Sequence, residues 1–344
     1  ELLGFNVEIY KKDGHPIVFG NLSRFKDKTT MLIYGHYDVQ PPEPLDKWES
    51  KPFELVEKGE FLYGRGVSDD KGQLFAHLKA LEIYKKEKGE IPFNVKVIFE
   101  GEEEIGSPSL PKFLEDYKEK LKADFAIISD NPMLKRGVPS LSYGLRGLLY
   151  IEIKLFGAEN DLHSGRFGGI VPNPCIHLCK ILSTIKGSDG KIKIKGFYDD
   201  VLEIKEEERE SFQNLPIAEK DYIKMAKVKN LEKERGFSAI ECIWARPSFD
   251  INGISGGFQG EGTKTIVPSF AKAHISFRLV PNQVPEKIFK LVENHLIKQC
   301  PKKLKIEIIK KESASPVLVN INNKYLIRVK EAMELGFEKK VHLI

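Results

Sequence analysis

Four short segments of the 344-residue chain carry side chains that can hold a cation together: Gly35-His36-Tyr37-Asp38, Ser68-Asp69-Asp70-Lys71-Gly72, Glu100-Gly101-Glu102-Glu103-Glu104 and Ser129-Asp130-Asn131. Three of them follow apolar runs with the texture of buried strands, namely Thr30 to Gly35, Asn94 to Phe99 and Phe125 to Ile128. In an open α/β sheet, ligands collect in the crevice outside the carboxyl ends of the strands. The fourth lies just ahead of a helix that starts near Gln73. Carboxylates crowded at one rim repel one another and retain protons unless cations neutralise them. A pair of divalent ions does so, with one carboxylate able to bridge the two, and such a pair activates water and polarises a carbonyl. Each segment also has a plainer explanation. Asp69 or Asp70 suits a helix N-cap, Glu102-Glu103-Glu104 a solvated charge run, His36 a structural role, and Asp130 before Asn131-Pro132 a turn. Convergence of all four on one edge favours chemistry. No HExxH is present, which excludes a helix-borne zinc protease site.

Bringing these segments together requires alternating strands and helices. Asn6–Tyr10 and Ile17–Phe19 read as further short strands. Gln73 to Lys86 places Leu74, Leu78 and Leu81 at helical spacing, with Gly89 as a stop, and a second helix is expected from Ser107 to Lys120. The alternation predicts an α/β domain over residues 1–145, a mostly parallel sheet sandwiched by helices. Past Leu145-Arg146-Gly147 the texture changes. Leu148–Phe156 alternates with period two, and a helix is expected over Pro174–Ile185. Charged surface helices follow between Asp199 and Arg235, then strands at Phe249–Ile254, Ala271–Val280 and Leu304–Ile309, with a helix at Pro285–Gln299. That set predicts an α+β domain over residues 146–312, an antiparallel sheet with helices on one face. From Pro316 a strand and a helix over Asn323–Leu335 are expected to return to the first domain, which assigns residues 313–344 to it.

Composition excludes several classes. Lys+Arg number 54 against 50 Asp+Glu, a formal charge of +4 with the signs interspersed, so no basic block marks a nucleic-acid footprint. Hydrophobic residues make up 41% and run along the whole length, which argues against disorder. No apolar run is long enough to span a bilayer and no signal-peptide pattern is seen, so a cytoplasmic protein without a membrane partner is expected. Cys175, Cys179, Cys242 and Cys300 are too few and scattered for a disulfide framework or a zinc ribbon. Cys175 and Cys179, four apart on one helix, read as small buried residues.

Taken in order, the motifs resemble those of the M20 metallopeptidases, most closely the carnosine-type, cytosolic non-specific dipeptidase branch. The likeness is carried by Gly35-His36-Tyr37-Asp38-Val39-Gln40-Pro41, by Tyr63-Gly64-Arg65-Gly66-Val67-Ser68-Asp69-Asp70-Lys71-Gly72 and by Glu100 to Ser107. It continues through Ile128 to Asn131, Tyr143 to Gly147, Asp161-Leu162-His163-Ser164-Gly165 and Phe277 to Asn282, and so covers nearly the whole chain. The resemblance implies a co-catalytic metallopeptidase fold with an inserted α+β lid and dimerisation domain, and two divalent ions per subunit, Zn²⁺ or Mn²⁺. It implies that His36 and Asp130 hold one ion, that Asp69 bridges, and that Glu104 holds the second. Glu103 would be the general base and Asp38 would orient the His36 imidazole. His163 would reach the partner subunit's site in a homodimer and stabilise the oxyanion, while Arg278 and Thr265 would grip the substrate's C-terminal carboxylate.

Two departures from the family pattern stand out. The nearest dipeptidases carry Gly-His-Gly-Gly after the last lid strand, where this chain has Lys310-Lys311-Glu312-Ser313-Ala314. The family's Gly-rich substrate loop and its C-terminal metal-binding His would fall after Ile344, and His342 lies upstream of that place. The first ion then keeps His36, Asp69 and Asp130 and the second only Asp69 and Glu104, so the chain is expected to be a fragment or to have lost a ligand. The expected function is metal-dependent hydrolysis of the peptide bond in dipeptides or aminoacyl dipeptides. The alternatives are an N-acyl amino-acid amidohydrolase and, in another class, a non-catalytic or single-metal binding protein.

Overall fold

The computed structural model describes residues 2–11 and 14–344. Contacts divide the chain into two compact units, residues 1–132 and 133–344.

The first unit is built on a five-stranded sheet with the spatial order Asn6–Tyr10, Ile17–Leu22, Asn94–Glu100, Thr30–His36, Phe125–Ile128. The last three strands are mutually parallel, and a hairpin of the first two adds antiparallel pairings at one side. In register, His36 lies opposite Glu100, and Tyr34 lies opposite both Ile98 and Ile128. Side chains alternate across a strand, so each strand feeds two cores. Ile33, Val95 and Val97 pack with Leu81 of the helix Lys71–Lys88 on one face. Phe19 and Ile98 pack with Phe113 and Leu121 on the other. Helices therefore cover both faces, as the alternating pattern predicts. The single helix expected over Ser107–Lys120 is instead two short ones, Leu110–Asp116 and Lys118–Leu121. Tyr117 leaves helical geometry between them, with its ring packed 4.4 Å from Tyr10 and 5.0 Å from Phe113.

The second unit holds a four-stranded, wholly antiparallel sheet ordered Ser248–Gly256, Phe270–Leu279, Gly147–Phe156, Lys305–Ala314. Leu149, Ile151, Ile153 and Leu155 share one face with Ala273, Ile275 and Phe277, under the helices Pro174–Ser183 and Pro285–Gln299. Both helices cover that face, which is why the central strands tend to alternate apolar and polar residues. Val317–Leu318 pairs with Gly144–Leu145, and His342–Leu343 pairs with Ser140–Leu141. All four cysteines are free, and Cys179 is solvent-exposed, contrary to the buried pair expected from the helix spacing. Its position on Pro174–Ser183 turns away from the face that Leu178, Ile181 and Leu182 bury. Among the described residues no helix is long and apolar enough to cross a membrane.

On the sheet face opposite those helices, Glu152 is only 6% exposed. His274 Nε2 lies 3.0 Å from its carboxylate, with Lys154 at 3.2 Å and Lys311 at 3.4 Å. The hydrogen bond to His274 leads in holding the Glu152 carboxyl down at about 2, against burial and with the two lysines helping. A carboxyl depressed from the ordinary 4.5 contributes stability that is present above 4.5 and lost as pH falls towards about 2. Glu152→Gln is therefore expected to melt several degrees below wild type at pH 7, with the gap closing between pH 4.5 and 2; a gap independent of pH in thermal melts would assign the effect to packing instead.

Candidate metal centre

The strand Thr30–His36 ends on a wholly buried imidazole. Gly35 makes room for what lies beneath it. A Cβ there would sit 2.8 Å from Asp70 Oδ2 and 3.3 Å from Leu74 Cδ1, so only glycine lets the start of the helix Lys71–Lys88 approach this closely. Asp70 Oδ2 accepts the backbone N–H of His36 at 3.2 Å, and Asp70 makes no side-chain cap bond to the helix it precedes. Asp70 is 1% exposed and its Oδ1 has no hydrogen-bond partner. Burial raises its carboxyl, partly offset by the His36 N–H.

The imidazole is fixed on both sides. His36 Nδ1 lies 3.2 Å from Asp38 Oδ1, and Nε2 lies 2.9 Å from Asp69 Oδ1 and 3.6 Å from Asp130 Oδ2. One donor atom each from His36, Asp69 and Asp130 falls within 4.8 Å of the others, a three-point nitrogen and oxygen set of the kind that takes a divalent cation. Sheet register produces this meeting. Tyr34 is level with Ile128, so His36 and Asp130, each two residues further on, emerge side by side.

The charges are crowded. Burial leads in raising the Asp130 carboxyl, and repulsion from Asp69 and Glu104 adds to it. Burial also leads in raising Glu103, with Asp130, Glu104 and Asp69 adding and His36 opposing. For His36 burial disfavours the cation, but Asp130, Glu103 and Asp69 outweigh it and raise the imidazole. A bound cation would relieve all of these repulsions at once, so the residues present fit a divalent ion.

The run Glu102-Glu103-Glu104 is not a solvated charge patch. Glu102 is buried, and its carboxylate accepts the backbone N–H groups of His15 at 2.8 Å and Ser109 at 3.0 Å, which anchors the turn. Asp38 accepts the backbone N–H groups of Glu103 at 3.3 Å and Glu104 at 3.0 Å. One carboxylate thus ties the imidazole to the turn that carries both acids. Glu104 lies outside the group of three, and its carboxylate is held by Gln40.

His163, Thr265 and Arg278 belong to the second unit. Leu162–His163 pairs with Ile266–Val267, and Ser164 N donates to Thr265 O at 2.9 Å, so one small ladder brings the exposed His163 and Thr265 together. Arg278 is exposed on the strand Phe270–Leu279 and lies near the half-buried Arg146. Burial leads in lowering the Arg146 guanidinium, and the charge of Arg278 adds to it. The sequence offers Asp70 only as a possible helix cap, a bond it does not make, and gives Gln40 and Arg146 no role of their own. Gln40 and Arg146 lie inside conspicuous motifs, Gly35 to Pro41 and Tyr143 to Gly147, and that proximity was the available signal.

Residues 32–343 match the model of peptidase family M20/M25/M40. The chain is 32% identical over 327 residues to the Beta-Ala-His dipeptidase of Rattus norvegicus, covering 94% of this chain and 66% of that protein. It is 36% identical over 303 residues to the Cys-Gly metallodipeptidase DUG1 of Candida albicans, covering 86% of this chain and 62% of that one. Among solved structures, the M20 family metallo-carboxypeptidase Sso-CP2 from Sulfolobus solfataricus aligns over 100% of this chain and 77% of that one, with a TM-score of 0.90 and 38% identity. The chain spans less than two thirds of the length of the two curated relatives. Because the family model runs through every strand-end segment that builds the cluster and on across the second unit, the chain belongs to peptidase family M20/M25/M40.

Proposed function

We propose that the protein is a metal-dependent peptidase that hydrolyses the amide bond of dipeptides or aminoacyl dipeptides. The observation that carries this is the meeting of His36, Asp69 and Asp130 donor atoms within 4.8 Å, beside a Glu103 carboxyl held above its ordinary range. The names of the curated relatives, dipeptidases for Beta-Ala-His and Cys-Gly, support the substrate class. In this proposal His36 and Asp130 hold one divalent ion, Glu104 holds a second, and Asp69 bridges them. Oxygen and imidazole donors suit either Zn²⁺ or Mn²⁺. When bound, such ions lower the pKa of water and polarise the scissile carbonyl.

The chain's own residues do the rest. Glu103 takes a proton from the attacking water and delivers it to the leaving amine, the work of a carboxylate placed as general base and then acid. Asp38 holds the imidazole through Nδ1, which fixes its tautomer and keeps Nε2 facing Asp69. Arg278 and Thr265 grip the substrate's carboxylate, a guanidinium fork being matched to it, and His163 stabilises the oxyanion across a homodimer. Residues 146–312 form the lid and dimerisation domain in this proposal, and 313–344 return to the catalytic one. A cytoplasmic location belongs to the same proposal and is supported by the four free cysteines.

The test is hydrolysis by the metal-reconstituted protein of Cys-Gly, Beta-Ala-His and N-acetyl amino acids side by side. Release of amino acids from the free-amine dipeptides is expected. Turnover of the acetylated compounds alone would replace the peptidase by an amidohydrolase, and metal uptake with no turnover of either would leave a binding protein.

A further inference from the structure

We propose that Gln40 is a positioning residue of the metal centre, holding the Glu104 carboxylate in place and thereby setting how tightly the second of two ions is bound. The proposal rests on the assignment above of Glu104 as a metal ligand. Gln40 leaves the sheet four residues after His36 and is exposed. Its Nε2 donates to Glu104 Oε2 at 2.7 Å and to the Glu104 carbonyl oxygen at 3.3 Å. Its backbone N–H donates to Glu104 Oε1 at 3.2 Å. Both carboxylate oxygens and the main chain of one acid are therefore addressed by one residue.

Glu104 needs holding. Three rotatable bonds give a glutamate many conformers, and this one shares a rim with Asp69, Glu103 and Asp130, whose charges favour its swinging out into water. A lysine at position 40 would hold it too, but an ammonium competes with the incoming cation for the same oxygens. A neutral amide does not. An ionised carboxylate offers about four acceptor sites, so two bonds from Gln40 leave lone pairs free for an ion. Asp38 acts in parallel on the backbone N–H groups of Glu103 and Glu104, so the loop after His36 fixes the main chain through one side chain and the carboxylate through another. Contacts of this outer kind typically change metal affinity about 10- to 100-fold.

The test is a competition titration of metal-free wild type and Gln40→Leu with Zn²⁺ alone against a chromophoric chelator, followed by dipeptide turnover at limiting and excess Zn²⁺. Wild type is expected to take up two ions with separable affinities. Gln40→Leu should weaken the second step about 10-fold or more, leave the first unchanged, and recover turnover when Zn²⁺ is in excess. Uptake of a single ion by wild type, two unchanged steps in the variant, or equal weakening of both would each overturn the role of Gln40. Wild type that binds no Zn²⁺ at all would instead remove the metal assignment on which it rests, and the proposal with it.

Discussion

Glu103→Gln is expected to lower the proposed dipeptide turnover by about 10³-fold while metal uptake stays at the wild-type level. The size follows from the usual 10²- to 10⁴-fold contribution of a placed proton shuttle. Glu103 stands apart from the three donors that lie within 4.8 Å of one another, yet it shares their field: its carboxyl is raised by burial and by Asp130, Glu104 and Asp69. Replacing it by a neutral isostere would remove the proposed base and one repelling charge, so affinity for the ion is expected to change little. Turnover and metal content measured on the same preparation decide the matter. Loss of the ion along with activity would mean that base and ligand had been interchanged, with Glu104 as the shuttle.

The second large effect concerns metal and stability together. If wild type binds the ion, saturation at 100 times Kd should stabilise it by about 2.7 kcal/mol, which corresponds to a rise in melting temperature of roughly 4 °C for a chain of this size. Asp69→Ala is expected to abolish that rise. Asp69 is 60% exposed and, among the described residues, its side chain bonds the His36 ring, so its loss is expected to cost the metal-free protein little and to remove a source of repulsion. The sign of the pH dependence follows from the same crowding. Asp130 and Glu103 are raised in the folded protein, so in chelator their contribution is fully present below the ordinary carboxylate range and is lost as pH rises through their elevated values. Metal reverses this, because the ion favours the ionised forms. Melting curves against pH, with chelator and with Zn²⁺, should therefore separate widely at neutral pH and converge in acid. Parallel curves would remove the carboxylate cluster as the ion's site.

The alternation of apolar runs with polar strand ends made the first sheet and its rim readable from sequence. His36 and Asp130 were visible because the first closes a strand and the second lies two residues past the end of another, and parallel strands deliver their ends to one edge. Asp70 was not. In sequence a carboxylate ahead of a helix looks the same whether it caps the helix or turns under the preceding strand, and only the missing Cβ of Gly35 lets it do the second. Gln40 was hidden for a different reason: a bond between loops 64 residues apart leaves no periodic trace. Tyr117 likewise divides an expected helix where its ring packs on Tyr10, more than a hundred residues earlier in the chain. In the second unit, helical cover on one face left the two central strands broadly alternating, and the strands' existence was legible while their ends shifted by a residue or more.

The parallel ladder that sets His36 opposite Glu100, and Tyr34 opposite Ile128, has a consequence for which length changes the chain can bear. Lengthening a loop between these strands costs only slowly increasing closure entropy, about 0.6 kcal/mol per doubling. Adding or deleting one residue inside Thr30–His36 or Phe125–Ile128 would turn the donor at its tip to the opposite side of the sheet. The count of residues along each strand thus acts as a ruler for the donors, and a change in chain length is expected to be borne only in the stretches that connect the strands.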